Sequence, residues 1–226
     1  MKVVFAFVIL LLCFGFTFGQ NEQSPIVEKE IKYKDWTYKN VRTGEDVNLR
    51  EFAKGKKLVI VVYFAPWCHN WQHDAPMLEK FYEKYRSAGL EFIGVGEYDP
   101  VASMKSILDT FKITFPAVYE SENRTEKQKT LHYGYRQLTG DTRGWGSPWY
   151  IILDPAHLEK KGDTLTKKTF VINGEMIETE GEKFIREKLG LPALDTKAST
   201  SANGKIEVCD PDKPATTLVN PTVKKP

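Results

Sequence analysis

Cysteine and net charge are both scarce in this chain of 226 residues. Its three cysteines are too few to build a small scaffold held together by disulfides. The 32 lysine and arginine residues nearly balance the 30 aspartate and glutamate residues, so a net charge of +2 gives no overall electrostatic basis for binding nucleic acid. Aromatic residues, at 12%, are too frequent for a wholly disordered chain, and the length suits one domain with appendages.

The N-terminus has the pattern of a secretory signal peptide. Lys2 precedes an uncharged apolar stretch at 3–18, and the small residues Thr17 and Gly19 stand three and one positions before Gln20. We therefore predict that residues 1–19 are removed and that the mature protein is secreted or periplasmic. The apolar stretch is shorter than the roughly 20 residues that a spanning helix needs, so no stable membrane span is expected after signal removal.

The rest of the chain divides by composition into three segments. Residues 20–33 are polar with mixed charge and are predicted to be a leader, and residues 191–226 are predicted to be a flexible tail. In residues 34–190, apolar runs typical of buried strands alternate with helical periodicity, which predicts an α/β domain with a partly parallel sheet. The predicted strands are 36–41, 58–64, 90–95, 115–119, 149–153 and 169–172. The predicted helices are 73–87, a helix that opens at Pro100, 126–138 and 182–189.

The residues that carry chemistry follow the predicted strand at 58–64. Cys68 stands in the segment Phe64-Ala-Pro-Trp-Cys-His-Asn-Trp, so a buried strand runs into a turn that holds a cysteine where a helix begins. The open N–H groups and the dipole at a helix start stabilise an anion, and a thiolate is the species that attacks disulfides. Cys68 is therefore the candidate catalytic nucleophile, the alternative being a small buried cysteine that only packs.

This segment resembles the TlpA/ResA-like branch of the thioredoxin superfamily, which is related to the alkyl hydroperoxide reductase/thiol-specific antioxidant proteins. The family pattern is approximately F-x-A-x-W-C-x-x-C-x-x-E-x-P. The positions that match or substitute for it are Tyr63, Ala65, Trp67, Cys68, Asp74 and Pro76. Gly44, Val47 and Leu49 match the lead into the first core strand, and Phe115-Pro116-Ala117-Val118 and Gly146-Ser147-Pro148-Trp149 resemble later family segments.

The resemblance covers about residues 34–190 and implies a thioredoxin-like fold, with a central mixed sheet flanked by helices. It also implies that Pro148 is a cis-proline that faces Cys68 and shapes the substrate groove. The implied activity is thiol–disulfide oxidoreduction on protein thiols or disulfides, and no cofactor is expected.

The chain departs from the family at position 71, where Trp71 replaces the second cysteine. The second thiol resolves the mixed disulfide in a dithiol enzyme, so that intramolecular cycle is excluded for this segment. Three interpretations stay open. Cys68 acts alone with an external low-molecular-weight thiol, or Cys209 in the tail resolves it through a Cys68–Cys209 disulfide, or the domain is a non-catalytic binding module for polypeptide partners.

Side chains near Cys68 are candidates for tuning and for substrate binding. A protonated imidazole at His69 would lower the pKa of Cys68. Aromatic residues at the expected rim could form an apolar landing site for an extended polypeptide, although core packing is the alternative and is preferred for Trp67. The substrate-binding candidates are Trp67, Trp71, Ser147 and Trp149, with Trp145 beside them.

Two further functions are disfavoured by the sequence. His69 and His73 are four residues apart and could bind a metal with Cys68 or Asp74, but a clear fourth ligand is missing and no metal site is predicted. A peroxiredoxin carries Thr or Ser three residues before its cysteine and Pro seven before it. Here those positions are Ala65 and Val61, so peroxidase activity is not expected.

Overall fold

The domain is built on an eight-stranded mixed sheet, and a computed structural model describes residues 22–194 of the chain. The strands are β1 (Gln23–Ser24), β2 (Val27–Lys34), β3 (Thr37–Asn40), β4 (Asp46–Asn48), β5 (Leu58–Phe64), β6 (Leu90–Gly96), β7 (Ala117–Tyr119), β8 (Trp149–Leu153), β9 (Thr164–Ile172) and β10 (Glu175–Met176). The helices are α1 (Leu49–Ala53), α2 (His69–Tyr85), α3 (Val101–Thr110), α4 (Leu131–Thr139) and α5 (Glu178–Lys188), with single 3-10 segments at Arg86–Ala88, Arg124–Lys129 and Pro155–His157.

The sheet has the order β2-β9-β8-β5-β6-β7-β3-β4, and β1 pairs separately with β10. β5 lies at the centre, parallel to β6 and antiparallel to β8. Every residue of β5 is buried because helices cover both faces of the sheet, which explains its uninterrupted apolar sequence. The mixed sheet flanked by helices confirms the predicted fold class.

The side chains on the two faces of β5 pack into two separate hydrophobic clusters. Ile60 and Val62 pack in the cluster that contains residues of α2, α3 and α5, whereas Val59 and Val61 pack in the cluster with α1 and α4. Successive side chains of a strand point to opposite faces, so this alternation is what a central strand requires. The cluster on the α2 side holds Cys68, so the candidate site is part of the core rather than an addition to it.

Several predicted elements differ from the observed ones at their ends. The strands at 58–64 and 149–153 are confirmed as predicted, but α2 begins at His69 rather than at residue 73. The predicted helix 126–138 is wrong in its first part, which is a 3-10 segment. Thr130 separates that segment from α4, because its side-chain oxygen accepts a hydrogen bond from the backbone N–H of Tyr133 and caps the new helix.

The predicted polar leader at 20–33 overlaps strand β2 of the sheet. β2 pairs antiparallel with β9, and Ile31 and Tyr33 are buried while the alternating charged residues Glu28, Glu30, Lys32 and Lys34 are exposed. An edge strand with one charged face reads as a polar segment when its apolar positions are few. The predicted signal peptide lies outside the described residues, as does the predicted tail beyond residue 194. Within residues 22–194, no helix is both long and apolar enough to cross a membrane.

Candidate active site

Cys68 lies between the end of β5 and the beginning of α2, as the sequence predicts. It is the residue that immediately precedes α2, with an extended backbone (φ −81°, ψ 114°), and its carbonyl oxygen accepts a hydrogen bond from Gln72 N at 3.1 Å. Its own N–H donates to Ala65 O at 3.0 Å, which closes the tight turn after β5. The cysteine is fully buried. This strand, turn and helix place the sulfur at the positive end of the α2 dipole.

Cys68 is disulfide-bonded in the structure. Residues 22–194 contain no second cysteine. The predicted pairing with Cys209 involves a residue outside that range and stays a prediction. The Cys68 sulfur also lies 3.0 Å from the backbone oxygen of Ser147, which brings the loop before β8 directly against it.

The loop that faces Cys68 contains a cis peptide bond between Ser147 and Pro148, as the resemblance implied. The Ser147 hydroxyl accepts a hydrogen bond from Ala65 N at 3.0 Å, and Arg143 donates to Pro148 O at 2.8 Å. Ser147 was predicted to bind substrate. Its side chain is buried and ties the loop to the end of β5, where it accepts the hydrogen bond of the Ala65 backbone N–H.

Trp71 and Trp149, two of the residues predicted with Trp145 to form a landing site for a polypeptide, are both fully buried. The Trp71 ring stacks on Phe64 at 4.5 Å between centroids and meets Phe111 edge-on at 6.0 Å. Trp149 donates its Nε1–H to Asn173 Oδ1 at 2.8 Å. Trp71 lies on the inward side of α2 and Trp149 begins the central strand β8, so both belong to the core.

A smaller aromatic surface remains near the site, formed by Trp67 and Trp145. Both are partly buried, and their rings pack edge to face at 5.2 Å. The Arg124 guanidinium lies 5.2 Å from the Trp67 ring centroid, and the Lys127 ammonium lies 4.5 Å from that of Trp145. Sequence reasoning missed both cations because they lie in a 3-10 segment with no apolar periodicity. The Trp67–Trp145 pair is thus a basic, aromatic surface.

An ion-pair network that the sequence did not reveal holds the loop in place. Arg136 is fully buried, and its Nε donates to Asp141 Oδ2 at 2.9 Å. Arg143 donates to both oxygens of the same carboxylate, at 2.9 and 2.8 Å. Burial would raise the pKa of Asp141, but the hydrogen bonds and charges of Arg143 and Arg136 outweigh it and lower that pKa.

Gly146 is required by this network. Its φ is +61°, and a Cβ atom at this position would lie 1.7 Å from Arg136 Nε. Any other residue therefore has to displace the buried arginine or change the loop conformation. In the sequence Gly146 stands out only as part of a family segment, and nothing around it indicates that Arg136 packs against it.

His132 also contacts the loop that carries Ser147 and Pro148. Its Nδ1 is 2.8 Å from the Tyr98 hydroxyl and its Nε2 is 3.2 Å from Gly146 O, while its ring stacks on Tyr63 at 4.9 Å. Burial lowers the pKa of His132 well below its usual value, so the ring is neutral. The hydrogen-bond pattern assigns the proton to Nε2, which donates to Gly146 O, and Nδ1 accepts from the tyrosine.

The two histidines of α2 do not act together with Cys68 as metal ligands. His69 is the first residue of the helix, partly buried and adjacent to Cys68, and its role as a tuner of the thiol stays a prediction. His73 faces Asp74 and Glu175 instead. Asp74, at the position of the family glutamate, is buried, and burial raises its pKa to about 7.

A cysteine at the start of a helix, placed after a central strand and against a cis-proline loop, defines a protein of the thioredoxin-fold class. The AhpC/TSA family model matches residues 30–177, so the chain belongs to the AhpC/TSA family. This confirms the resemblance read from the sequence.

Individual relatives agree with the family. The chain is similar to the thiol-disulfide oxidoreductase ResA of Halalkalibacterium halodurans, with 30% identity over 77 residues, or 34% of this chain and 43% of that protein. It is also similar to the thioredoxin-like protein YneN of Bacillus subtilis, with 26% identity over 142 residues, or 59% of this chain and 81% of YneN.

A solved thiol:disulfide interchange protein from Chlorobium tepidum shares the fold. The TM-score is 0.52 at 18% identity, over 72% of this chain and 98% of that one. At this identity the likeness shows the fold alone. The match to ResA spans less than half of that protein's length, so the activity of this chain has to be argued from its own site.

Proposed function

We propose that the protein is an extracytoplasmic thiol–disulfide oxidoreductase that works through Cys68 as its single active-site cysteine. One observation carries the proposal: Cys68 precedes α2 directly, with its sulfur 3.0 Å from Ser147 O of the cis-proline loop. The name of the ResA relative agrees with this activity.

The first half of the reaction uses the start of α2. When Cys68 is reduced, its sulfur can turn from Ser147 O towards the open N–H groups of the first helical turn, which stabilise the thiolate. The thiolate attacks one sulfur of a substrate disulfide. A mixed disulfide with Cys68 forms, the substrate S–S bond breaks, and its other sulfur leaves as a thiolate. His69, adjacent to Cys68, adds positive charge near the thiolate when its ring is protonated.

The second half of the reaction needs a thiol from outside α2, because Trp71 occupies the position where the family has its second cysteine. We propose that the Cys209 thiolate attacks the Cys68 sulfur, displaces the remaining substrate thiolate and leaves a Cys68–Cys209 disulfide. The two protein thiols thereby supply the two electrons that reduce the substrate disulfide. An external low-molecular-weight thiol then reduces the protein, or resolves the mixed disulfide directly.

Cys209 is the candidate for resolving the mixed disulfide because the chain has so few cysteines. Cys68 is disulfide-bonded, and besides Cys68 the chain has only Cys13 and Cys209. Cys13 falls within the predicted signal peptide, so Cys209 is the cysteine that remains in a mature chain. A disulfide of this kind persists in an oxidising compartment, which agrees with secretion or export to the periplasm.

The test is reduction of a fluorescent disulfide-linked peptide by the reduced mature protein, with glutathione as the final reductant. We expect Cys68→Ser to fall to the uncatalysed rate. Cys209→Ser serves as the matched cysteine substitution: it should keep the first attack but accumulate a mixed disulfide at Cys68, detected by intact mass. Turnover by Cys68→Ser at the wild-type rate would contradict the proposal.

A second candidate function is a binding module that uses the same groove without chemistry. The observation that favours it is Trp71, which fills the position of the second cysteine with a side chain that is packed into the core. A pure binding module would give the uncatalysed rate with wild type and with Cys68→Ser alike, and would hold a polypeptide equally well in both. The peptide assay therefore separates the two functions.

A further inference from the structure

A histidine and two carboxylates converge where α2 meets β10. His73 Nδ1 is 3.4 Å from Glu175 Oε2 and 3.9 Å from Asp74 Oδ1. One ligand atom from each of the three side chains lies within 4.8 Å of the others. None of the three takes part in the thiol chemistry proposed for Cys68, so the cluster needs a separate explanation.

The ligand atoms of the two carboxylates point into this cluster. Asp74 uses Oδ2 to accept hydrogen bonds from the Tyr150 hydroxyl and from Met176 N, so its Oδ1 is the oxygen that faces His73. Glu175 is fully buried, and apart from the His73 ring 3.4 Å from Oε2, neither of its carboxylate oxygens has a hydrogen-bond partner. A buried carboxylate loses its hydration, and that cost is normally offset by donors or by a cation.

The solvent access of the cluster and the types of its ligand atoms indicate that a metal ion is the partner of the buried carboxylates. The His73 side chain is 62% exposed, so the cluster opens to solvent on that side, where a water can complete the coordination. Two ligands of a tetrahedral zinc ion lie roughly 3.3 Å apart when each metal–ligand bond is about 2.0 Å. The His73–Glu175 separation of 3.4 Å already meets this spacing, and the His73–Asp74 separation is 3.9 Å.

We propose that His73, Asp74 and Glu175 form a binding site for a divalent transition-metal ion, with zinc as its best fit. An imidazole with two carboxylates suits zinc, whereas magnesium and calcium prefer ligand sets made of oxygen alone. The ion neutralises two buried carboxylates that His73 alone cannot balance. The sequence alone does not predict this site, because the residues near His73 in the sequence are His69, Cys68 and Asp74. The third ligand, Glu175, lies far away in the sequence, on β10.

The experiment is calorimetric titration of zinc chloride into the full-length protein with Cys68 kept in its disulfide, so that its sulfur is not a ligand. Wild type should bind one zinc ion per chain. His73→Gln and Glu175→Gln should each weaken binding by roughly tenfold or more, since each removes one of three protein ligands. His157→Gln is the matched control, because His157 is exposed and pairs with the carboxylate of Asp154 at 2.8 Å.

Each outcome decides the proposal. It is overturned if wild type binds no zinc, if Glu175→Gln binds as wild type does, or if His157→Gln weakens binding as much as His73→Gln. Circular dichroism establishes that each variant is folded. As a measurement that needs no variant, cobalt added to wild type should give the intense visible absorption of a four-coordinate ion with nitrogen and oxygen ligands. The spectrum of free aqueous cobalt would contradict the site.

Discussion

The sulfur of Cys68 lies 3.0 Å from the backbone oxygen of Ser147. In the reduced protein two neighbours act on this sulfur in opposite directions. The carbonyl oxygen can accept a hydrogen bond from the thiol and so favours the protonated form, whereas the start of α2 favours the thiolate. The reactivity of Cys68 depends on which neighbour the sulfur faces, and so on the position of the loop that carries Ser147.

Trp71→Cys should restore a dithiol at the site, because position 71 is where the family carries its second cysteine. In a Cys209→Ser background, we expect this change to raise turnover of a disulfide substrate such as insulin by about tenfold or more, as the new thiol resolves the mixed disulfide. Trp71→Ala is the control, since it leaves a similar cavity without a thiol. Both changes should lower the free energy of unfolding by about 3–5 kcal/mol. If wild type without Cys209 already turns over as fast as Trp71→Cys, the argument from Trp71 is wrong.

Asp141→Ala should destabilise the domain strongly. The change leaves Arg136 fully buried without its carboxylate, and removing one partner of a buried ion pair costs about 3–5 kcal/mol in the free energy of unfolding. Asp46→Ala is the matched control, because its ion pair with Lys39 is exposed and contributes about 1 kcal/mol or less. Urea denaturation measures both, and equal losses would contradict the role of the network.

Gly146→Ala should disturb the loop, and Gly144→Ala should not. At Gly146 the new methyl group meets Arg136, and the positive φ adds backbone strain, for a combined loss of about 2 kcal/mol or more in the free energy of unfolding. At Gly144 a Cβ atom has no neighbour within 4 Å. The two variants should also differ in the peptide-reduction assay, because Gly146 packs against the arginine that holds the loop beside Cys68 and Gly144 does not. Equal stability in the two variants would count against this packing.

Stability should fall in mild acid because His132 is buried and neutral. Its pKa is lowered in the folded protein, so below about pH 6.5 the unfolded chain takes up a proton that the folded one does not. Relative to His132→Gln, the free energy of unfolding of wild type should drop by about 1.4 kcal/mol per pH unit below that point. Denaturation of both proteins between pH 7.5 and 5 measures this slope, and a difference that does not vary with pH would contradict it.

The features that the sequence predicts correctly depend on local patterns. The continuous apolar run at 58–64 predicts a central strand, and the turn that follows it places Cys68 at a helix start. The remaining features depend on partners that are distant in the sequence. The pairing of β2 with β9 makes a polar segment a strand, and the partners of Arg136 and Glu175 are fixed only by folding. Trp71 is predicted at the rim because the sequence shows that it is close to Cys68. The sequence does not show that its side chain lies on the inward side of α2.

The most direct test of the account is the rate of alkylation of Cys68 against pH. Reduced mature protein carrying Cys209→Ser is treated with iodoacetamide, and modification at Cys68 is followed by peptide mass. An activated thiolate at the start of α2 predicts a midpoint well below about 8.5, the value of an unperturbed cysteine. A midpoint at or above that value would contradict the claim that the protein works through Cys68.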